Sequence, residues 1–248
     1  LGAEVSFVGA VGADAAGRSY LEHLRTAGIE ASGVREIPGV DTGAAMILVD
    51  DLGENLIIVD PGANSRLEPQ SVEGSIRAHE PTVLLAQLEV PIAALEAAVA
   101  AVDARTIVVL NPAPMPADPT LLAGVLRRVD VLVPNRRELG QFAGCEEPRN
   151  LQEVTRCLTS LPFHGTVVVT LGADGAVVAE PGRSLVHVQA KVVEPVDTSG
   201  AGDAFCGALV VGLAAGADLA DAVRRAVDVA SESTLVRGAQ LAVSPTVP

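Results

Sequence analysis

Residues 196–205 read Val-Asp-Thr-Ser-Gly-Ala-Gly-Asp-Ala-Phe, and an apolar run follows to about Ala217. Gly200 and Gly202 stand two apart where a helix begins. Backbone N–H groups there can approach an anion, and the helix start carries about half a positive charge. The loop is not a Walker A loop, because no Lys-Ser/Thr follows the glycines. It is not a dinucleotide fingerprint either, because Phe205 stands where the third glycine belongs. Asp203 then puts a carboxylate in the first helical turn. Two readings follow. Asp203 complements the helix dipole, as acidic residues at helix starts do. Alternatively, it takes the proton of an alcohol that attacks a phosphate held by the same helix start.

Working outward, the chain alternates strands and helices. Glu4–Val11 is strand-like, and Asp14–Ala27 is helix-like with Gly28 as its stop signal. Gly43–Val49 and Asn55–Asp60 flank the turn Asp50–Glu54 and predict a hairpin over 43–60. Thr82–Gln87, Thr106–Leu110, Val129–Val133 and Thr166–Leu171 are apolar strands. Between them lie helical stretches at Ile92–Val102, Glu138–Ala143 and Leu151–Leu161. Continuous apolar strands alternating with helices predict an α/β fold, a doubly wound, Rossmann-like and mostly parallel sheet. In such a sheet the strand C-termini deliver their loops to one crevice. The polar segments beginning at Asn111, Pro134 and Thr170 should gather there.

Composition narrows the class. With 248 residues, 49% hydrophobic, four Phe, one Tyr and no Trp, the core must be Val, Leu, Ile and Ala. A net charge of -14 argues against a nucleic-acid or anionic-membrane partner. Three cysteines without a C-x-x-C pair fit a reduced, cytoplasmic chain. The longest apolar run is too short to span a bilayer. The four histidines have no ligand-like spacing and are read as structural. Arg136 and Arg137 lie at a helix start, where solvation is the simplest expectation.

The stretch Asp197-Thr198-Ser199-Gly200-Ala201-Gly202-Asp203-Ala204-Phe205 closely resembles the C-terminal signature of the ribokinase-like (PfkB) carbohydrate kinase family. Leu1–Gly12, Pro61-Gly62-Ala63-Asn64, Gln87-Leu88-Glu89, Asn111-Pro112-Ala113-Pro114, Pro134-Asn135 and Gly238-Ala239-Gln240 resemble the family in the same order, and in its ribose-phosphorylating branch most closely. The resemblance implies an ATP-dependent phosphotransferase with an alcohol acceptor, D-ribose giving D-ribose 5-phosphate. Other sugar or nucleoside kinases of the family, or a non-catalytic nucleotide-binding remnant, stand as alternatives.

It also implies roles. Asp203 is the catalytic base and contacts the substrate, and Gly200, Ala201 and Gly202 form the anion hole. Asn135 and Glu138 position Mg²⁺ and phosphates through water, and Thr170, Gly172 and Gly175 line the nucleotide. Glu89 lies near the sugar. Asp197 binds a monovalent cation, K⁺, with the carbonyls of Ser199, Ser233, Val236 and Gly238. The 43–60 hairpin becomes part of a lid through which two copies pair as a homodimer. Each residue has a plainer reading: Asn135 and Glu138 as a capping box, Thr170–Gly175 as a turn, Asp197 as a turn residue, Glu89 as a strand-end carboxylate.

Two departures stand out. The family's opening strand, first lid strands and glycine motif have no counterpart here, so residues 1–248 are expected to be a single kinase domain that is incomplete at its N-terminus. Val227 occupies a position by the adenine that is usually polar, and Asp228 and Glu232 make its helix acidic.

Overall fold

The computed structural model describes residues 1–49 and 55–239. Its contacts divide the chain into two compact units, Gly2–Glu80 with Glu89–Asp103, and Pro81–Leu88 with the chain from Ala104 on.

In the first unit, β1 (Ser6–Gly12) pairs in parallel with β2 (Glu30–Ile37), and α1 (Ala15–Thr26) connects them. Asp14 caps α1 by accepting from the Gly17 N–H at 2.7 Å. The same carboxylate accepts from the Thr42 N–H and hydroxyl at 2.8 and 2.7 Å, fixing the chain that leads to β3. These bonds hold the Asp14 carboxyl down at about 2. α1 ends at Ala27, with Gly28 just beyond at φ 73°. β3 (Ala44–Val49) and β4 (Asn55–Asp60) form the expected antiparallel pair, Met46 opposite Ile58. Their turn at 50–54 lies outside the described residues. Met46, Leu48, Ile58 and Val59 are exposed on this ribbon. α2 (Pro69–His79) packs on α3 (Ile92–Ala101).

The second unit is a six-stranded sheet. β5 (Val83–Ala86), β6 (Ile107–Leu110), β7 (Val131–Leu132) and β8 (Thr166–Thr170) are parallel neighbours. β9 (Ala176–Ala179) and β10 (Val186–Val188) continue it antiparallel. Between β6 and β7 lies the short α4 (Ala123–Leu126). Between β7 and β8 lie α5 (Arg136–Ala143) and α6 (Leu151–Ser160). The C-terminal pair, α7 (Ala201–Ala214) and α8 (Leu219–Ser233), packs together. With it, Val109, Val131, Val133, Val168 and Val178 form one buried cluster on one sheet face. Strand residues of the opposite parity, Val108, Leu110, Leu132, Val167 and Val169, are equally buried, so both faces are covered. As the composition requires, the core is aliphatic; Phe142 and Phe205 are its aromatic members.

Candidate active site

The carboxyl ends of β5 to β8 lie side by side, so Gln87, Asn111, Asn135 and Thr170 follow one another along a single sheet edge. Hydrogen bonds stitch this edge together. Asn111 donates from Nδ2 to the Val133 carbonyl at 2.8 Å, and the Thr170 N–H donates to the Pro134 carbonyl at 2.9 Å. Asn135 also makes a parallel bridge with Thr170.

α7 begins on this unit with Gly200 as N-cap at φ 73°, ψ 3°. A side chain at Gly200 would be strained by that φ and would meet the Ala239 carbonyl oxygen at 2.4 Å. Gly202 is different: an added Cβ would touch nothing within 4 Å. The Ala201 N–H is taken by the Thr198 carbonyl and the Ala204 N–H by Gly200. Among the described residues no side chain caps the helix, and the N–H groups of Gly202 and Asp203 have no partner. A long helix ending in open N–H groups is what an anion site requires. Asp203 is exposed in the same turn. Its Oδ1 accepts from Gln87 Nε2 at 3.1 Å. Beneath it, burial pushes the Cys206 thiol up to about 12, and the negative charges of Asp203 and Glu138 push it the same way.

Asn135 and Glu138 form a complete capping box. Asn135 Oδ1 accepts from the Glu138 N–H at 2.9 Å. Glu138 Oε2 accepts from the Asn135 N–H at 2.9 Å, and Oε1 from its Nδ2 at 2.7 Å. Glu138 is 7% exposed, and burial raises its carboxyl from the ordinary value against the lowering effect of Asn135. Each of its oxygens keeps one lone pair, so each can still accept a hydrogen bond from a water. Gly172 (φ 61°) and Gly175 (φ 87°) bound the tight turn between β8 and β9, where a Cβ on Gly175 would strike the Val188 carbonyl.

Arg136 departs from the solvated position expected of it. Its Nη2 contacts Asp174 in that turn at 2.5 Å, its Nη1 donates to the Pro148 carbonyl at 3.1 Å, and its side chain is 17% exposed. The His187 ring holds the Asp174 carbonyl from the other side at 2.7 Å. The turn is therefore latched between α5 and β10.

Asp197 joins two loops. Oδ1 accepts from the Ser199 N–H and Oδ2 from the Gly238 N–H, both at 2.9 Å, and these bonds hold its carboxyl at about 2. The carbonyls of Ser199, Ser233, Val236 and Gly238 accept no hydrogen bond among the described residues. Gln240 lies outside the described residues. Val227 is a core residue of α8, and Asp228 pairs with Lys191 at 2.9 Å. Glu89 belongs to the other unit, where it is exposed.

Residues 1–247 match the pfkB family of carbohydrate kinases. The chain belongs to that family. The pfkB assignment makes it a phosphotransferase with an alcohol group as acceptor. The chain is 33% identical to a ribokinase of Staphylococcus aureus, over 97% of this chain and 79% of that protein. Among solved structures, it superposes on Cryptococcus neoformans ribokinase in complex with ADP with a TM-score of 0.84 and 28% identity, covering 96% of this chain and 79% of the other. Arabidopsis thaliana ribokinase complexed with ribose and ATP gives 0.80 and 26%, covering 95% and 77%.

Sequence reasoning assigned no role to Gln87 and did not anticipate the Arg136 latch. Gln87 had a usable signal, since it directly follows an apolar strand at the crevice edge. The latch had none, because an ion pair 38 residues apart is invisible without the fold.

Proposed function

We propose that this chain transfers the γ-phosphoryl group of ATP to the primary hydroxyl of a sugar, D-ribose, giving D-ribose 5-phosphate and ADP. The observation that carries the reading is the start of α7, where among the described residues two N–H groups have no partner beside a carboxylate with one oxygen likewise unpartnered. The likeness to ribokinases supports ribose as the first acceptor to test. Asp203 accepts the hydroxyl proton as the oxygen attacks phosphorus. A P–O bond forms, the bond to the ADP oxygen breaks, and charge developing on the transferring group is met by the N–H groups of Gly202 and Asp203. Gly200 supplies the turn that aims those groups, with Ala201 as the first helical residue. Asn135 and Glu138 hold water toward the phosphates. Thr170, Gly172 and Gly175 shape the wall along the nucleotide. Bound Mg²⁺ neutralises phosphate charge. Asp197 with the carbonyls of Ser199, Ser233, Val236 and Gly238 holds K⁺, keeping the loop before α7 in place.

The test is ADP release with Mg²⁺-ATP and K⁺ against ribose, deoxyribose, fructose and adenosine, with Asp203→Ala alongside. Ribose-stimulated turnover, lowered by about 10²-fold or more in the variant, is expected. Turnover in Asp203→Ala equal to that of the wild type would remove the base from the mechanism. ATP binding with no sugar-dependent turnover would leave a nucleotide-binding protein without an acceptor.

A further inference from the structure

Resting on that reading of Asp203, we infer that Gln87 is a positioning residue for the base, occupying one carboxylate oxygen so that the other faces the acceptor hydroxyl. Gln87 Nε2 donates to Asp203 Oδ1 at 3.1 Å, and Oδ2 has no partner among the described residues. An ionised carboxylate can only accept, so the amide end facing it is the NH₂ group.

The donor is held on a rigid support. On one side of Gln87, the Ala86 carbonyl accepts from the Asn111 N–H at 2.9 Å. On the other, the Leu88 N–H donates to the Ala113 carbonyl at 3.0 Å. Gln87 is therefore pinned at the end of β5, and its side chain is half-buried. Asp203 is pinned in turn, because Phe205 and Cys206 on the next part of α7 are buried in the core and α7 packs on β5. Without the amide, an exposed carboxylate in a first helical turn rotates freely. Either oxygen, or neither, then faces the incoming hydroxyl, and the attack geometry is lost. A neutral donor suits the task. A lysine here would neutralise the base, and a second carboxylate would repel it.

The experiment compares wild-type protein with Gln87→Met, which keeps the length and loses the donor, and with Gln87→Glu, which puts a like charge in its place. The double variant Gln87→Met/Asp203→Ala and single Asp203→Ala run in parallel. For Gln87→Met, kcat should fall about tenfold, the scale of one hydrogen bond to a charged group. KM for sugar and for ATP, and the melting temperature, should stay within error. Gln87→Glu should fall further, and the double variant should be no worse than Asp203→Ala alone. Wild-type kcat in Gln87→Met, with Asp203→Ala inactive, overturns this role and leaves the base standing. A raised sugar KM at unchanged kcat also overturns it, making Gln87 a substrate contact. Full turnover in Asp203→Ala removes the base and this role together.

Discussion

Gly200 and Gly202 stand two positions apart and meet different demands. Gly200 needs its missing side chain for the fold: its φ is 73°, and the Ala239 carbonyl oxygen lies where a Cβ would go. Gly202 has ordinary helical geometry and open space around it, so nothing in the protein forbids a methyl group there. Gly200→Ala should lower stability by about 1–3 kcal/mol, the usual cost of a strained backbone position. Gly202→Ala should leave the melting temperature unchanged or raise it, since alanine favours a helix over glycine by up to about 1 kcal/mol. Its kcat/KM should nevertheless fall about tenfold or more, because the methyl intrudes where a phosphate must meet the backbone. Thermal melts and steady-state kinetics on the two variants check both halves. Unchanged kcat/KM in Gly202→Ala would mean that no ligand approaches that backbone.

The elements most legible in the sequence are those that carry a period or a stop signal. The apolar runs gave β5, β6 and β8 to within a residue or two, and the capping box at Asn135 and Glu138 is present in both halves. β2, α2 and the antiparallel pair β9–β10 were not read out. β2 (Glu30–Ile37) mixes charged and apolar residues because half of it is exposed and one residue alone is buried, so neither a buried run nor a clean alternation marks it. β9 is four residues long and follows a glycine turn whose φ values only the structure reveals. Side-chain ties across elements were equally hidden, and the Arg136–Asp174 latch is the clearest case. Its two ends differ in exposure, 17% against 68%, so the pair is worth about 1 kcal/mol or less after solvent screening. Its importance is the position of the 172–175 turn. Arg136→Ala and Asp174→Ala should each raise the KM for ATP a few-fold with a smaller effect on kcat. The double variant should be no worse than the worse single one, because either change releases the turn. Additive effects in that cycle would show that the two residues act apart.

Across the whole molecule, charge and acid stability pull in opposite directions. The net charge of -14 repels itself at neutral pH, and protonation relieves that strain. Burial of Glu138 adds to the relief, because its raised carboxyl costs stability when ionised and stops doing so once protonated. Against this stand Asp14 and Asp197, each held at about 2 by backbone N–H donors, below the ordinary 3.8. A depressed carboxyl contributes its full stability above the unfolded value. It loses that stability as pH falls from about 3.8 through about 2. The two residues lie in different units, Asp14 tying α1 to Thr42 and Asp197 tying the 197–199 loop to Gly238. Acid should therefore release both units over the same window. Urea midpoints followed by circular dichroism should change little between pH 7 and 4, then drop between pH 4 and 2. Asp14→Asn and Asp197→Asn should each start lower at pH 7 and drop less in that window, having already lost the charged acceptor. Parallel curves for wild type and Asp197→Asn would mean that the loop bonds do not survive in solution. The same result would weaken the support for Gly200, since it is the 238–239 segment, tied by Asp197, that lies against it.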